Sequence, residues 1–149
     1  MNVLICSDSH MRLDYFQKVM ELEKPEMVIF AGDHSTDAID MSLVYREIPF
    51  KIVRGNTDYF DNDTKDSEIF QLGKKKFYLT HGHLFGVKRN LNELEKQAVA
   101  EGVNVCIYGH TNVEYMKDKD GVLYLNPGAL QDKKYVIYNG EKFVQKKIK

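Results

Sequence analysis

The first half of the chain alternates continuous apolar runs of strand length with amphipathic stretches of helix length, and that order leaves few folds open. Val3-Leu4-Ile5-Cys6 and Met27-Val28-Ile29-Phe30-Ala31 are apolar at every position, as strands covered on both faces are. Between them Leu13, Phe16, Val19, Met20 and Leu22 recur at helical intervals until Pro25 stops the pattern. Ala38, Ile39, Leu43 and Val44 predict a second helix ending before Pro49, and Phe50 to Val53 a third strand. A strand-helix-strand-helix-strand order implies parallel strands joined by right-handed crossovers.

The second half changes character. Ile69 to Leu72 and Lys76 to Thr80 flank Gly73-Lys74, which predicts a hairpin. A helix is expected to start at Asn90, with Glu93 completing a capping box, Leu91, Leu94 and Ala98 on one face, and Gly102 as a left-handed stop. Val103 to Tyr108 predicts another buried strand. Hairpin turns follow at Asp120-Gly121 and Asn139-Gly140, the second carrying the strong type I′ dipeptide. Parallel units first and antiparallel strands later imply one mixed sheet or two packed sheets. The polar, acidic stretch from Asp58 to Asp66 reads as a solvated surface loop, since it lacks the spacing of a calcium loop.

With 149 residues, the chain has the usual size of one domain, assigned here to residues 1–149. The 21 Lys and Arg against 22 Asp and Glu leave a net charge of -1, so a broad basic face for nucleic acid is not indicated. Its longest apolar run, Met27 to Ala31, falls far short of the ~20 residues of a membrane helix. No secretory signal precedes the first strand. The two cysteines, Cys6 and Cys106, each lie within an apolar run, and read as small buried hydrophobes in a reducing compartment. The expectation is a cytoplasmic protein without membrane attachment, with homo-oligomer formation left open.

Five apolar runs end in short polar clusters: Ser7-Asp8-Ser9-His10, Gly32-Asp33-His34, Gly55-Asn56-Thr57-Asp58, His81-Gly82-His83 and Gly109-His110-Thr111-Asn112. Ligands of open sheets bind at the carboxyl ends of strands, so five such clusters can converge on one place. Carboxylates, imidazoles and carboxamides without a thiolate suit Mn, Fe, Zn or Ni. Asp8 and His10, two apart in an extended segment, can face one ion; Asp33 has two oxygens to share. With Asn56, His81 and His110, the donors suffice for a pair of ions, an arrangement suited to phosphoryl chemistry. No nucleophile elbow, Walker loop, zincin helix motif or dinucleotide fingerprint is present.

These clusters, together with Asn126-Pro127-Gly128, resemble the motifs of the calcineurin-like metallophosphoesterases, in particular the small bacterial and archaeal phosphodiesterase branch. The resemblance runs from about residue 3 to residue 130. It implies an α/β fold, a four-layer α/β/β/α sandwich with two mixed sheets, and a dinuclear centre that hydrolyses a phosphate ester, usually a diester. It further implies in-line attack by a hydroxide bridging the metals, with Mn as the favoured ion and Ni, Fe or Zn as alternatives. Carried over by position, Asp8, His10 and Asp33 hold one metal, and Asp33, Asn56, His81 and His110 the other, with Asn56 also touching the phosphate.

Two positions depart from the family pattern. Asn112 stands where the family's second histidine of Gly-His-x-His closes the first metal site, and a carboxamide there predicts a weaker site and a dependence on added metal. Thr57 replaces a histidine that protonates the leaving group in many relatives, which leaves His83 or a metal-bound water as candidate acid. Arg12 is a candidate for steadying the phosphate, and His34 reads as a surface-loop residue. The terminal Lys142, Lys146, Lys147 and Lys149 read as edge-strand gatekeepers, and Asn126-Pro127-Gly128 as a structural turn. The competing functional reading is a protein-interaction scaffold that keeps the fold but has lost turnover.

Overall fold

A computed structural model describes residues 1–59 and 61–149. In chain order it runs β1 (Val3–Cys6), α1 (Leu13–Glu23), β2 (Met27–Phe30), α2 (Ser35–Val44), β3 (Phe50–Ile52), β4 (Ser67–Leu72) and β5 (Lys75–Thr80). A 3-10 turn (His83–Phe85), α3 (Asn92–Glu101), β6 (Val105–Ile107), β7 (Tyr115–Lys119) and β8 (Val122–Asn126) follow. A second 3-10 turn (Leu130–Asp132), β9 (Lys134–Tyr138) and β10 (Phe143–Lys147) complete it.

The strands form two five-stranded mixed sheets, ordered β10-β9-β1-β2-β3 and β4-β5-β6-β8-β7. In the first, β1, β2 and β3 are parallel, with β9 antiparallel to β1 and β10 to β9. In the second, β5, β6 and β8 are parallel, with β4 and β7 antiparallel at the edges. Side chains alternate across a strand, and both faces of the central strands are covered. Val3, Ile5 and Ile29 of the first sheet meet Phe77, Leu79, Ile107 and Leu125 of the second in one core. Their neighbours Leu4, Cys6, Val28 and Phe30 face the other way, onto Phe16, Val19 and Met20 of α1 and Ala38 and Met41 of α2. Tyr78, Cys106 and Tyr124 on the outer face of the second sheet pack on Leu94 and Ala98 of α3. Helices outside and two sheets inside give the α/β/β/α layering, and this double coverage is why the central strands read as unbroken apolar runs. Phe77, fully buried and stacked on Phe70 at 5.4 Å, is a side chain of a size worth about 3–5 kcal/mol in a core.

Local differences from the sequence reading have physical causes. The type I′ turn falls at Asp120-Gly121, where both residues have positive φ (52° and 86°) between the paired Lys119 and Val122. At Asn139-Gly140 only the glycine has positive φ, and the loop runs through four residues. The Asn139 carboxamide instead accepts from the amides of Glu141 and Lys142, at 2.9 and 2.8 Å, in an Asx turn. The cap of α3 falls one residue later than expected: Leu91 occupies it without a side-chain bond, while Asn90 accepts from the Asn92 amide at 3.0 Å. The capping box with Glu93 is therefore not formed. Gly102, with φ 66°, ends the helix as expected. Both cysteines are buried, and burial pushes both thiols well above their ordinary pKa.

Candidate metal centre

The loops leaving β1, β2, β3, β5 and β6 meet at one end of the sandwich. There the structure groups Asp8, His10 and Asp33 into one cluster and Asp33, His81 and His110 into another, each with donor atoms within 4.8 Å of one another. Asp33 belongs to both. Its Oδ2 lies 3.8 Å from Nε2 of His10 and 3.3 Å from Nε2 of His81. Asp8 Oδ1 lies 4.0 Å from His10 Nε2 and 3.8 Å from His81 Nε2. Asn56 brings its carboxamide oxygen within 3.1 Å of His81 Nε2, and His110 Nδ1 is 3.2 Å from the same atom. Six of the candidate ligands, from five loops, thus converge.

A layer of hydrogen bonds fixes which atom of each side chain faces the cluster. Asp8 Oδ2 accepts from the Ser7 hydroxyl at 2.7 Å and the His110 amide at 3.2 Å, leaving Oδ1 toward the imidazoles. Asp33 Oδ1 accepts from the Thr57 hydroxyl and amide, at 2.9 and 3.2 Å, leaving Oδ2 toward them. The ring of His81, fully buried, places Nδ1 2.7 Å from the Ala31 carbonyl. Nδ1 must carry the hydrogen there, so in the neutral ring the lone pair sits on Nε2. The Asp8–His10 loop is tied down by Asp37, whose buried carboxylate accepts from the Ser9 hydroxyl at 2.7 Å and the Met11 amide at 2.8 Å. Asn126, fully buried at the end of β8, donates to the Gly109 carbonyl and Thr111 hydroxyl, so the Asn126-Pro127-Gly128 turn anchors the His110 loop.

The backbone is drawn tight around these groups. Asp8, His10, Asp33, His110 and Asn112 all have φ between 44° and 69°, a region that costs non-glycine residues roughly 1–2 kcal/mol each. Such outliers cluster where the surrounding structure holds a site in place. Gly109 needs space, since its φ is not positive: a Cβ there would sit 2.8 Å from both Asp8 Oδ2 and Ser7 Oγ. Periodicity and propensity carry no trace of these left-handed conformations.

Electrostatics follow from two carboxylates and three imidazoles at close quarters. Burial raises the Asp8 carboxyl to about 6, partly offset by His81 and the Ser7 hydroxyl. Burial also opposes charge on Asp33, but its contacts with His81 and Thr57 prevail and hold it well below the carboxylate range. Burial opposes charge on His81 too, yet Asp33 and Asp8 raise its pKa. His110 is lowered to about 4 by desolvation, with His81 and Lys88 adding repulsion.

Asn112 lies half-buried in the loop that carries His110, and its Oδ1 is buried without a hydrogen-bond partner among the described residues. His83 is likewise without a partner at Nδ1, its ring 5.5 Å from that of His81 and 6.2 Å from that of His110. Desolvation and the neighbouring His81 lower its pKa. Arg12 is placed differently from the other candidates. Its guanidinium forks onto Asp14 at 3.0 and 2.8 Å and stacks 3.6 Å over the Tyr15 ring, and no contact among the described residues joins it to the cluster. His34 is half-buried, its ring 5.8 Å from that of His10.

The loop from Asp58 to Asp66, apart from residue 60, is more ordered than its acidity suggests. Asp58 accepts from the amides of Gly55 and Ser35, at 2.8 and 3.0 Å. Asp61 is buried, taking hydrogen bonds from the hydroxyls of Ser35 and Thr64 and the amides of Asp63 and Thr64. These carboxylates brace the Asn56 loop against the start of α2. Asp37 and Asp61 are supporting residues that sequence reasoning missed, and Ser7, Ser9 and Thr57, named there within the motifs, carry supporting roles it did not assign. Only their closeness to the motifs could have pointed to them.

The donor set fits divalent cations: oxygen and imidazole nitrogen atoms only, one carboxylate common to two clusters, and an orphaned carboxamide oxygen in the loop that carries His110.

The sequence profile of the calcineurin-like phosphoesterase superfamily domain matches residues 1–139. The probable metallophosphoesterase YsnB of Bacillus subtilis is 33% identical over 133 residues, 88% of this chain and 76% of YsnB. The phosphodiesterase YfcE of Escherichia coli is 26% identical over 154 aligned positions, 87% of this chain and 79% of YfcE. Among solved structures, Vps29 of Chaetomium thermophilum superposes with a TM-score of 0.78, over 99% of this chain and 96% of that one, at 16% identity, a likeness of fold alone.

Proposed function

This chain belongs to the calcineurin-like phosphoesterase superfamily, and from that membership we propose that it is a divalent-metal-dependent phosphodiesterase. The observation that carries the reading is the sharing of Asp33 by two clusters of potential ligands. Asp8, His10 and Asp33, with the Asn112 carboxamide, would hold one ion, and Asp33, Asn56, His81 and His110 the other. A pair of divalent ions supplies Lewis acidity to the phosphate and lowers the pKa of water. Three oxygen donors beside one imidazole at the first position favour a hard ion such as Mn²⁺ there, with Ni²⁺, Fe²⁺ and Zn²⁺ as alternatives. The carboxamide at Asn112 makes that position the weaker of the two.

The chain's own residues orient and position. Ser7 and the His110 amide aim Asp8; Thr57 aims Asp33; the Ala31 carbonyl aims His81. Thr57 thus orients the shared carboxylate, and no proton donor stands at its position. Asn56, exposed on the open side of the cluster, is placed to donate its amide hydrogens to a phosphate oxygen. His83, with Nδ1 unpartnered beside the ligand imidazoles, is the candidate to hydrogen-bond the leaving oxygen.

YfcE carries the name phosphodiesterase, which supports the diester over the monoester. A scaffold role draws support from likeness of fold alone, whereas a pure scaffold needs none of the retained donors. The test is hydrolysis of bis(p-nitrophenyl) phosphate with Mn²⁺ or Ni²⁺. Asp33→Ala and His81→Ala should abolish turnover, and wild-type rates in either variant would refute the proposal.

A further inference from the structure

Four loops of the candidate metal centre put a large apolar side chain into solvent within three residues of a candidate site residue. Met11 follows His10 and is 74% exposed; Val113 follows Asn112 and is 62% exposed. Leu84 follows His83 and is 63% exposed; Tyr59, three residues past Asn56, is 83% exposed. Single exposed hydrophobes are ordinary, but these four stand on separate loops that the ligand distances bring to one place. The floor of the site is buried at Asp8, Asp33 and His81, whereas the His10 ring is 30% exposed and Asn56 is exposed. The opening therefore lies on the side of His10 and Asn56, the residues whose loops carry Met11 and Tyr59. The loops that ring a strongly polar centre thus carry four exposed apolar side chains.

We propose that this rim, with Met11, Leu84 and Val113 as its principal contacts and Tyr59 beside them, selects phosphodiesters bearing an uncharged alkyl or aryl substituent. The inference rests on the phosphodiesterase reading above. A phosphate seated on the ligand cluster sends its ester groups out through the opening, past these side chains. A bound substituent there loses apolar surface to water together with these side chains, whereas a charged one packed on the same four loses hydration that they cannot replace. Half-burial of a methylene corresponds to about a two-fold gain in affinity. Extending methyl to butyl should then raise kcat/KM about eight-fold, through KM.

The test uses full-length protein with Mn²⁺ and a series of p-nitrophenyl alkyl phosphates, methyl to butyl, whose leaving group is constant. The expected butyl-to-methyl ratio of about eight should fall toward one in a variant combining Met11→Ser, Leu84→Ser and Val113→Ser. It should persist in Leu43→Ser and Val99→Ser, equally exposed positions on α2 and α3. A flat series in the wild type, or an unchanged ratio in the triple variant, overturns the proposal. So does sedimentation showing a wild-type dimer that the triple variant disperses, since a second copy would then cover the rim. Calorimetric titration with methyl to butyl esters of methylphosphonate separates the two readings, because binding requires no turnover. The same slope in binding without hydrolysis of any ester refutes the phosphodiesterase and upholds the rim; flat binding refutes the rim.

Discussion

Gly109→Ala should damage the candidate metal centre without straining the backbone. Gly109 has an ordinary φ, so alanine carries no conformational penalty there, yet its Cβ would lie 2.8 Å from Asp8 Oδ2 and 2.8 Å from Ser7 Oγ. A carbon and an oxygen need roughly half an ångström more than that, so the carboxylate or the loop must move. Movement loosens the 2.7 Å bond from Ser7 and the 3.2 Å bond from the His110 amide. A hydrogen bond to a charged group contributes about 1.5–3 kcal/mol, and loss of one sets the expected destabilisation at about 2–3 kcal/mol. Perturbing the groups that orient a ligand typically lowers metal affinity about 10–100-fold. Gly73→Ala is the complement: φ is 58° and nothing lies within 4 Å of the added carbon. It should cost about 1–2 kcal/mol of backbone strain and leave Mn²⁺ binding untouched. Urea unfolding and Mn²⁺ calorimetry on both variants separate crowding from strain. Wild-type stability and Mn²⁺ affinity in Gly109→Ala would refute the close approach of Gly109 to Asp8.

Thr57→Val removes the 2.9 Å hydroxyl bond to Asp33 while keeping the shape. Mn²⁺ affinity should fall about ten-fold and recover in Thr57→Ser; equal affinities in all three proteins would contradict the orienting role. Burial works against the charge of Asp61, but the Ser35 and Thr64 hydroxyls and the Thr64 and Asp63 amides hold its pKa below the usual carboxylate range. The stability it contributes is complete above the unfolded value of about 3.9 and is lost as pH falls through the folded one. Urea midpoints across the acid range should therefore drop less steeply in Asp61→Asn than in wild type, and parallel curves would contradict the prediction.

The strands and their order were legible because double coverage of the central strands leaves unbroken apolar runs, as in Val3–Cys6 and Met27–Phe30. Division into two sheets was less so: β7 is exposed throughout and carries no burial pattern. The turn at Asn139 went astray because its side chain satisfies two amides in a longer loop, outcompeting the two-residue turn that the dipeptide favours. At the candidate metal centre, residue type and position after a strand pointed to Asp8, His10, Asp33, Asn56, His81 and His110, whose side chains the structure brings together. The supporting shell was silent because it acts through contacts across the sequence, as Asp37 does on Ser9 and Met11. Arg12 shows the converse: closeness to a motif in sequence suggested phosphate binding, while Asp14 and Tyr15 supply nearer partners.

The shared role of Asp33 is tested most directly by anomalous diffraction at the manganese edge from crystals soaked in Mn²⁺. Two peaks about 3.5–4 Å apart are expected, one on each side of the Asp33 carboxylate, with the lower occupancy beside Asn112. A single peak, or two that do not both touch Asp33, would contradict the account.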